Sequence, residues 1–97
     1  MSQTKMYFNT TRLSGRDLRL AIAAAKSQNE KIFMYFKNSP GDLFSPSHIH
    51  KEIFDDSTPI VSIRRAITTL TSRGLLAKTN KMVEGYYGAK EHCWKLN

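Results

Sequence analysis

From Ser57 to Val83 the chain has no aspartate and no glutamate, a run of 27 residues. Other shortages exclude other things. A single cysteine, Cys93, rules out an internal disulfide and any cysteine-based zinc site. Within His92-Cys93-Trp94-Lys95-Leu96 it reads as a small buried apolar residue. Apolar runs are only a few residues long, so neither a signal peptide nor a membrane span is expected, and no membrane partner. The five glycines are scattered, which excludes a glycine-rich phosphate loop. Carboxylates are few, and no Ser/His/Asp set has a motif around it. These absences point to a non-enzymatic, cytoplasmic protein with no cofactor.

What is present fits one domain. A chain of 97 residues with 40% hydrophobic content supports one core of three or four elements and argues against disorder. The balance is 15 basic against 8 acidic residues, net +7. The surplus is uneven. Residues 1–57 hold 8 basic and 6 acidic residues, whereas residues 58–97 hold 7 and 2. A polarised basic half points to a phosphate-bearing partner. Solubility alone is the blander explanation.

Residues 1–13 carry Met6, Tyr7 and Phe8 among polar residues and read as a tail, a short added strand or a dimer arm. Residues 14–97 read as a single folded unit. Ser14 with Asp17, and Ser27 with Glu30, have capping-box spacing. They predict helical segments over 17–26 and onward from 28, as two short helices or one bent one. Asn38-Ser39-Pro40-Gly41 ends the second segment. Ser45-Pro46 starts the next helix, with Ser as N-cap and Pro in the first turn. Ile49, Ile53 and Phe54 form its buried side. After the turn Phe54-Asp55-Asp56-Ser57, Thr58-Pro59 repeats the cap-plus-proline start. Two helices separated by about four residues have helix-turn-helix spacing.

On a wheel of the third helix, Ile60, Ile63, Ile67, Leu70 and Gly74 share the core side, flanked by Ala66. Thr58, Ser62, Arg65, Thr69 and Ser72 lie opposite, flanked by Val61 and Thr68. Arg64 sits at the boundary. Gly74 is the expected C-cap. Leu75–Thr79 and Glu91–Leu96 read as strands, with a long hairpin tip from Asn80 to Lys90.

The stretch Thr58-Pro59-Ile60-Val61-Ser62-Ile63-Arg64-Arg65-Ala66-Ile67, followed by Leu70 and Arg73-Gly74-Leu75-Leu76, resembles the recognition helix and first wing strand of the winged helix-turn-helix superfamily. Gly85-Tyr86-Tyr87-Gly88 and Trp94-Lys95-Leu96 resemble the wing and last strand of small winged-helix proteins common in bacteriophage genomes. The resemblance covers roughly residues 27–97. It implies an α+β fold: three to four helices plus a C-terminal β-hairpin wing, with the helix-turn-helix near 45–74 and the wing near 75–97. It also implies helix 58–73 in the major groove of double-stranded DNA and the wing on the adjacent backbone. Two features depart from the pattern. The wing loop is long and holds Glu84, and Asp55-Asp56 precede the recognition helix, where they must point away from phosphate.

The expected DNA contacts are Ser47, Thr58, Val61, Ser62, Arg64, Arg65, Thr68, Thr69, Lys78, Lys81, Tyr86 and Lys90. Arg65 at the helix centre suits bidentate pairing with guanine O6 and N7. Val61 suits a thymine methyl or packing against a neighbouring loop. Thr58, Ser62, Thr68 and Thr69 suit phosphates or base edges, and Ser47 a phosphate at its helix N-terminus. Arg64, Lys78, Lys81 and Lys90 suit phosphate alone. Of Tyr86 and Tyr87, one is expected on the sugar-phosphate and one in the core. His48 and His50, two apart on a helix, point different ways and are not expected to chelate a metal; His48 suits a surface pair with Glu52. A small transcriptional regulator or phage-type genome-handling factor follows, in a bacterial or phage-infected cell. A winged helix that docks an acidic protein partner, as adaptor or inhibitor, is the alternative. Homodimerisation through the N-terminal region, with its Leu18, Ile22 and Ala25 stripe, is compatible with either.

Overall fold

A computed structural model describes residues 15–97. Four helices, α1 (Gly15–Ala24), α2 (Gln28–Asn38), α3 (Pro46–Ile53) and α4 (Ile60–Ser72), precede strands β1 (Leu76–Glu84) and β2 (Lys90–Leu96). The strands pair antiparallel, so the fold is α+β, compatible with a small winged-helix layout. No described helix is long and apolar enough to cross a membrane.

Side-chain caps set where α2 and α3 begin. Ser27 Oγ accepts from the Glu30 N–H at 3.2 Å, and the Glu30 carboxylate accepts from the Lys26 N–H at 2.8 Å. This break makes α1 and α2 two helices rather than one. Lys31 Nζ donates to the Ile22 carbonyl at 2.8 Å, satisfying a carbonyl at the end of α1. The Ser14 cap and the 1–13 segment lie outside the described residues. Ser45 caps α3 by accepting from the His48 N–H, with Pro46 in the first turn.

The start of α4 differs from the expected Thr58 cap. Pro59 holds the N-cap position, and no side chain caps the helix there. The Thr58 carbonyl is instead tied to His50 at 2.7 Å, so tertiary contact replaces local capping. The stop is as expected. Gly74 has φ +80, the Leu75 N–H donates to Leu70 O and the Gly74 N–H to Thr71 O, which is a Schellman motif. Gly74 is exposed, however, because the helix has ended and its place on the wheel no longer applies.

One core joins the elements. Ile32 and Phe36 of α2, Ile49 of α3, Ile63, Ala66, Ile67 and Leu70 of α4, and Leu76 of β1 form the buried cluster. Phe44, Ile53, Phe54, Trp94 and Leu96 pack on it. The period of α4 puts Ile63, Ile67 and Leu70 on one stripe, and burial of such side chains stabilises by about 1.5–3 kcal/mol each. Phe44 adds a third rung to the hairpin. It exchanges backbone hydrogen bonds with Trp94 at 2.9 and 2.8 Å, which stitches the α2–α3 connection to β2.

The hairpin is less loop-like than its sequence. Asn80 is not at the tip but inside β1. Register runs Lys78↔Trp94 and then Met82↔His92, so β1 carries a bulge between them. Thr79 Oγ1 donates to Cys93 O at 2.8 Å and His92 Nδ1 donates to Thr79 O at 2.9 Å, pinning the bulge from both sides. The tip is Gly85–Ala89, built on one 3-10 turn at Tyr86–Gly88. The long wing loop expected over 80–90 therefore becomes extended strand plus a short turn. Turn-forming Asn80 serves a bulge instead.

Candidate nucleic-acid interface

The packing of α4 on the core fixes which side chains look outward. Val61, Arg64, Arg65 and Thr68 are exposed, and Ser62 and Thr69 half-buried. Val61 is 54% exposed, so it does not pack away against a loop. Arg65 has no ion-pair partner among the described residues.

The hydroxyls on this face have a definite polarity. Ser62 Oγ donates to Pro59 O at 2.9 Å, Thr68 Oγ1 to Arg64 O at 3.0 Å, and Thr69 Oγ1 to Arg65 O at 3.1 Å. Each hydroxyl proton is thus bonded to the helix's own backbone. What faces outward is an oxygen acceptor. In that rotamer the oxygen can accept from the amino groups of cytosine and adenine.

The hairpin adds cations. Lys78, Lys81 and Lys90 are exposed, and none forms an ion pair among the described residues. Lys78 Nζ stands 5.7 Å from the Trp94 ring centroid, which orients it by cation–π attraction. Lys81 sits in the bulge, where its N–H bonds Thr79 Oγ1 at 3.3 Å.

Three expected contacts are placed differently. Ser47 is buried, and its Oγ accepts from the Tyr86 N–H at 3.2 Å, so its hydroxyl is turned inward rather than toward phosphate. Tyr86 is the inward member of the tyrosine pair. Its hydroxyl lies 2.7 Å from His50 Nδ1, and the rings meet edge to face at 5.5 Å. Burial first, then the carboxylates of Asp56 and Glu91, push the Tyr86 phenol above its usual range. Tyr87 is the outward one, fully exposed with φ 62. Arg64 is the third: its guanidinium meets the Glu91 carboxylate at 3.6 Å.

His50 and His48 serve as structural ties. Because the Thr58 carbonyl can only accept, His50 Nε2 carries the donated proton, and in neutral imidazole Nδ1 then accepts from Tyr86. One buried side chain thereby joins α3, the wing turn and the entry to α4. His48 does not pair with Glu52. It lies 3.0 Å from the Tyr35 hydroxyl and stacks on Phe44 at 5.1 Å, where a half-buried ring gains more than a solvated charge pair. In the turn before α4, Asp55 accepts from the hydroxyl and N–H of Ser57, which holds its carboxyl below the usual range.

Glu91 and His50 carry contacts that sequence reasoning missed. Glu91 was legible only as one of two acids after residue 57. His50 had no role assigned beyond the HxH pair, because its partners are 8 and 36 residues away.

Comparisons with protein-family models, with curated proteins and with solved structures return no match.

Proposed function

We propose that this chain is a small double-stranded DNA-binding protein of the winged-helix kind, a transcriptional regulator or phage-type genome-handling factor without enzymatic activity. In this reading α4 enters the major groove and the hairpin lies on the backbone. One observation carries it: α4 is held to the core by Ile63, Ile67 and Leu70, while its free side presents Val61, unpaired Arg65 and outward acceptor oxygens. Arg65 supplies guanine recognition worth about 1–3 kcal/mol. Val61 supplies a methyl contact. Lys78, Lys81 and Lys90 supply sequence-independent affinity.

A mobility shift on random duplex at low salt tests this. Retarded duplex at micromolar protein is the expected result. Lys81→Ala should weaken binding equally on all sequences and reduce the salt slope by about one. A native chain that leaves duplex unshifted contradicts the proposal.

A second reading has its own support. Tyr87 is wholly exposed and Val61 is half-exposed, and aromatic and apolar side chains so placed suit docking of an acidic protein. No duplex binding together with loss of partner binding in Tyr87→Ala would favour it.

A further inference from the structure

Among the two acids after residue 57, Glu91 is the withdrawn one, with its side chain 11% exposed. Its Oε2 accepts from the Ser47 N–H at 2.8 Å, in the first turn of α3. Its Oε1 faces Arg64 Nη2 at 3.6 Å. The backbone of Gly85 closes over the carboxylate. A Cβ built there would lie 2.7 Å from Glu91 Cδ and 2.9 Å from Ser47 Oγ. Four elements therefore meet around one negative charge: α3, α4, the wing turn and β2.

The two groups that Glu91 touches differ in their access to solvent. A free guanidinium on α4 attracts phosphate without regard to base sequence, whereas the Ser47 amide is buried and serves to seat the carboxylate. With Glu91 in place, the α3 amide has its acceptor and the Arg64 charge is offset. Arg65, one residue on, has no such carboxylate among the described residues. The pair Arg64-Arg65 is thus divided: one guanidinium is restrained and one is free to read bases.

We propose that Glu91 is a specificity-determining residue. It withholds Arg64 from DNA phosphate, lowering sequence-independent affinity while leaving base recognition by Arg65 untouched. The inference rests on the duplex-binding reading above. It goes further in assigning an internal acid the task of setting the ratio of specific to non-specific binding.

The experiment is fluorescence anisotropy of a random-sequence duplex titrated with the full chain at several NaCl concentrations. The chains compared are native, Glu91→Gln, Arg64→Gln and the double variant, with circular dichroism melts beside each. Gln keeps an oxygen acceptor for the Ser47 N–H and removes the charge. Glu91→Gln should tighten binding about three- to tenfold at low salt and steepen the salt slope by about one phosphate equivalent. Arg64→Gln in the native background should leave the slope near its native value. In the Glu91→Gln background it should abolish the gain. A folded Glu91→Gln chain with native or weaker affinity and an unchanged slope overturns the proposal. So does an Arg64→Gln chain that loses a full unit of slope while Glu91 is present, an arm that stands even if Glu91→Gln fails to fold. A native chain that binds no duplex overturns the duplex reading and this inference together. A native chain that binds with Glu91 inert overturns the inference alone.

Discussion

Single residues carry most of the chemistry that can be checked directly. Cys93 is 3% exposed, and burial pushes its thiol above the usual range. A thiol reagent should therefore label the native chain slowly at neutral pH and label it promptly in denaturant. Fast native labelling would contradict the placement of β2. Burial also raises the phenols of Tyr35 and Tyr86, ahead of the nearby carboxylates. For all three groups the folded state favours the neutral form. Their stabilisation is complete below the unfolded pKa and is lost as pH rises through the raised folded one, so melting temperature should fall from the ordinary thiol and phenol ranges upward. Asp55 has the opposite sign. Its carboxyl is held low by Ser57, so its contribution is present above the unfolded carboxylate value and disappears as pH falls through the lowered one. Gly85 offers a steric test. Gly85→Ala places a methyl against Glu91 and Ser47 and should cost about 1–3 kcal/mol in a denaturant titration. An unchanged midpoint would show that Glu91 is not seated there.

At the scale of elements, local signals and long-range ones divide cleanly. Ser27, Ser45 and Gly74 act on amides and carbonyls within a few residues, so the ends they mark were legible in the sequence. The isoleucine stripe of α4 was legible for the same reason, since its period is local. The entry to α4 was not, because His50 reaches Thr58 from another helix. Nor was the hairpin tip: Asn80 and Gly85 are both turn residues, and only pairing with β2 decides which one turns. In the candidate site, the outward set Val61, Arg65 and Thr68 followed from the wheel. The inward turn of Ser47 and Tyr86 depended on contacts 39 residues apart. The His50–Tyr86 tie makes an element-level prediction. Tyr86→Phe removes one hydroxyl from a half-buried ring, and should speed amide hydrogen exchange at the wing turn more than in α4. Loss of that bond is worth about 0.5–1.5 kcal/mol, too little to unfold the domain. Equal acceleration throughout would mean the wing and helices open as one unit.

Across the whole molecule, one small fold divides its sides between packing and contact. Residues of α2, α3, α4 and β1 build the core, and the opposite side of α4 is left free. Most of the charge surplus lies in residues 58–97, where Glu91 is the acid set against that side's guanidinium. In the proposed reading, affinity comes from the lysines of the hairpin and preference from Arg65. Selection of bound duplexes from a random pool, run with the native chain and with Arg65→Ala, tests this most directly. The native chain should enrich a short motif containing a guanine. Arg65→Ala should still retain duplex at low salt but lose the preference at that guanine. A native pool with no enriched motif, or an Arg65→Ala pool with the same motif, would contradict it.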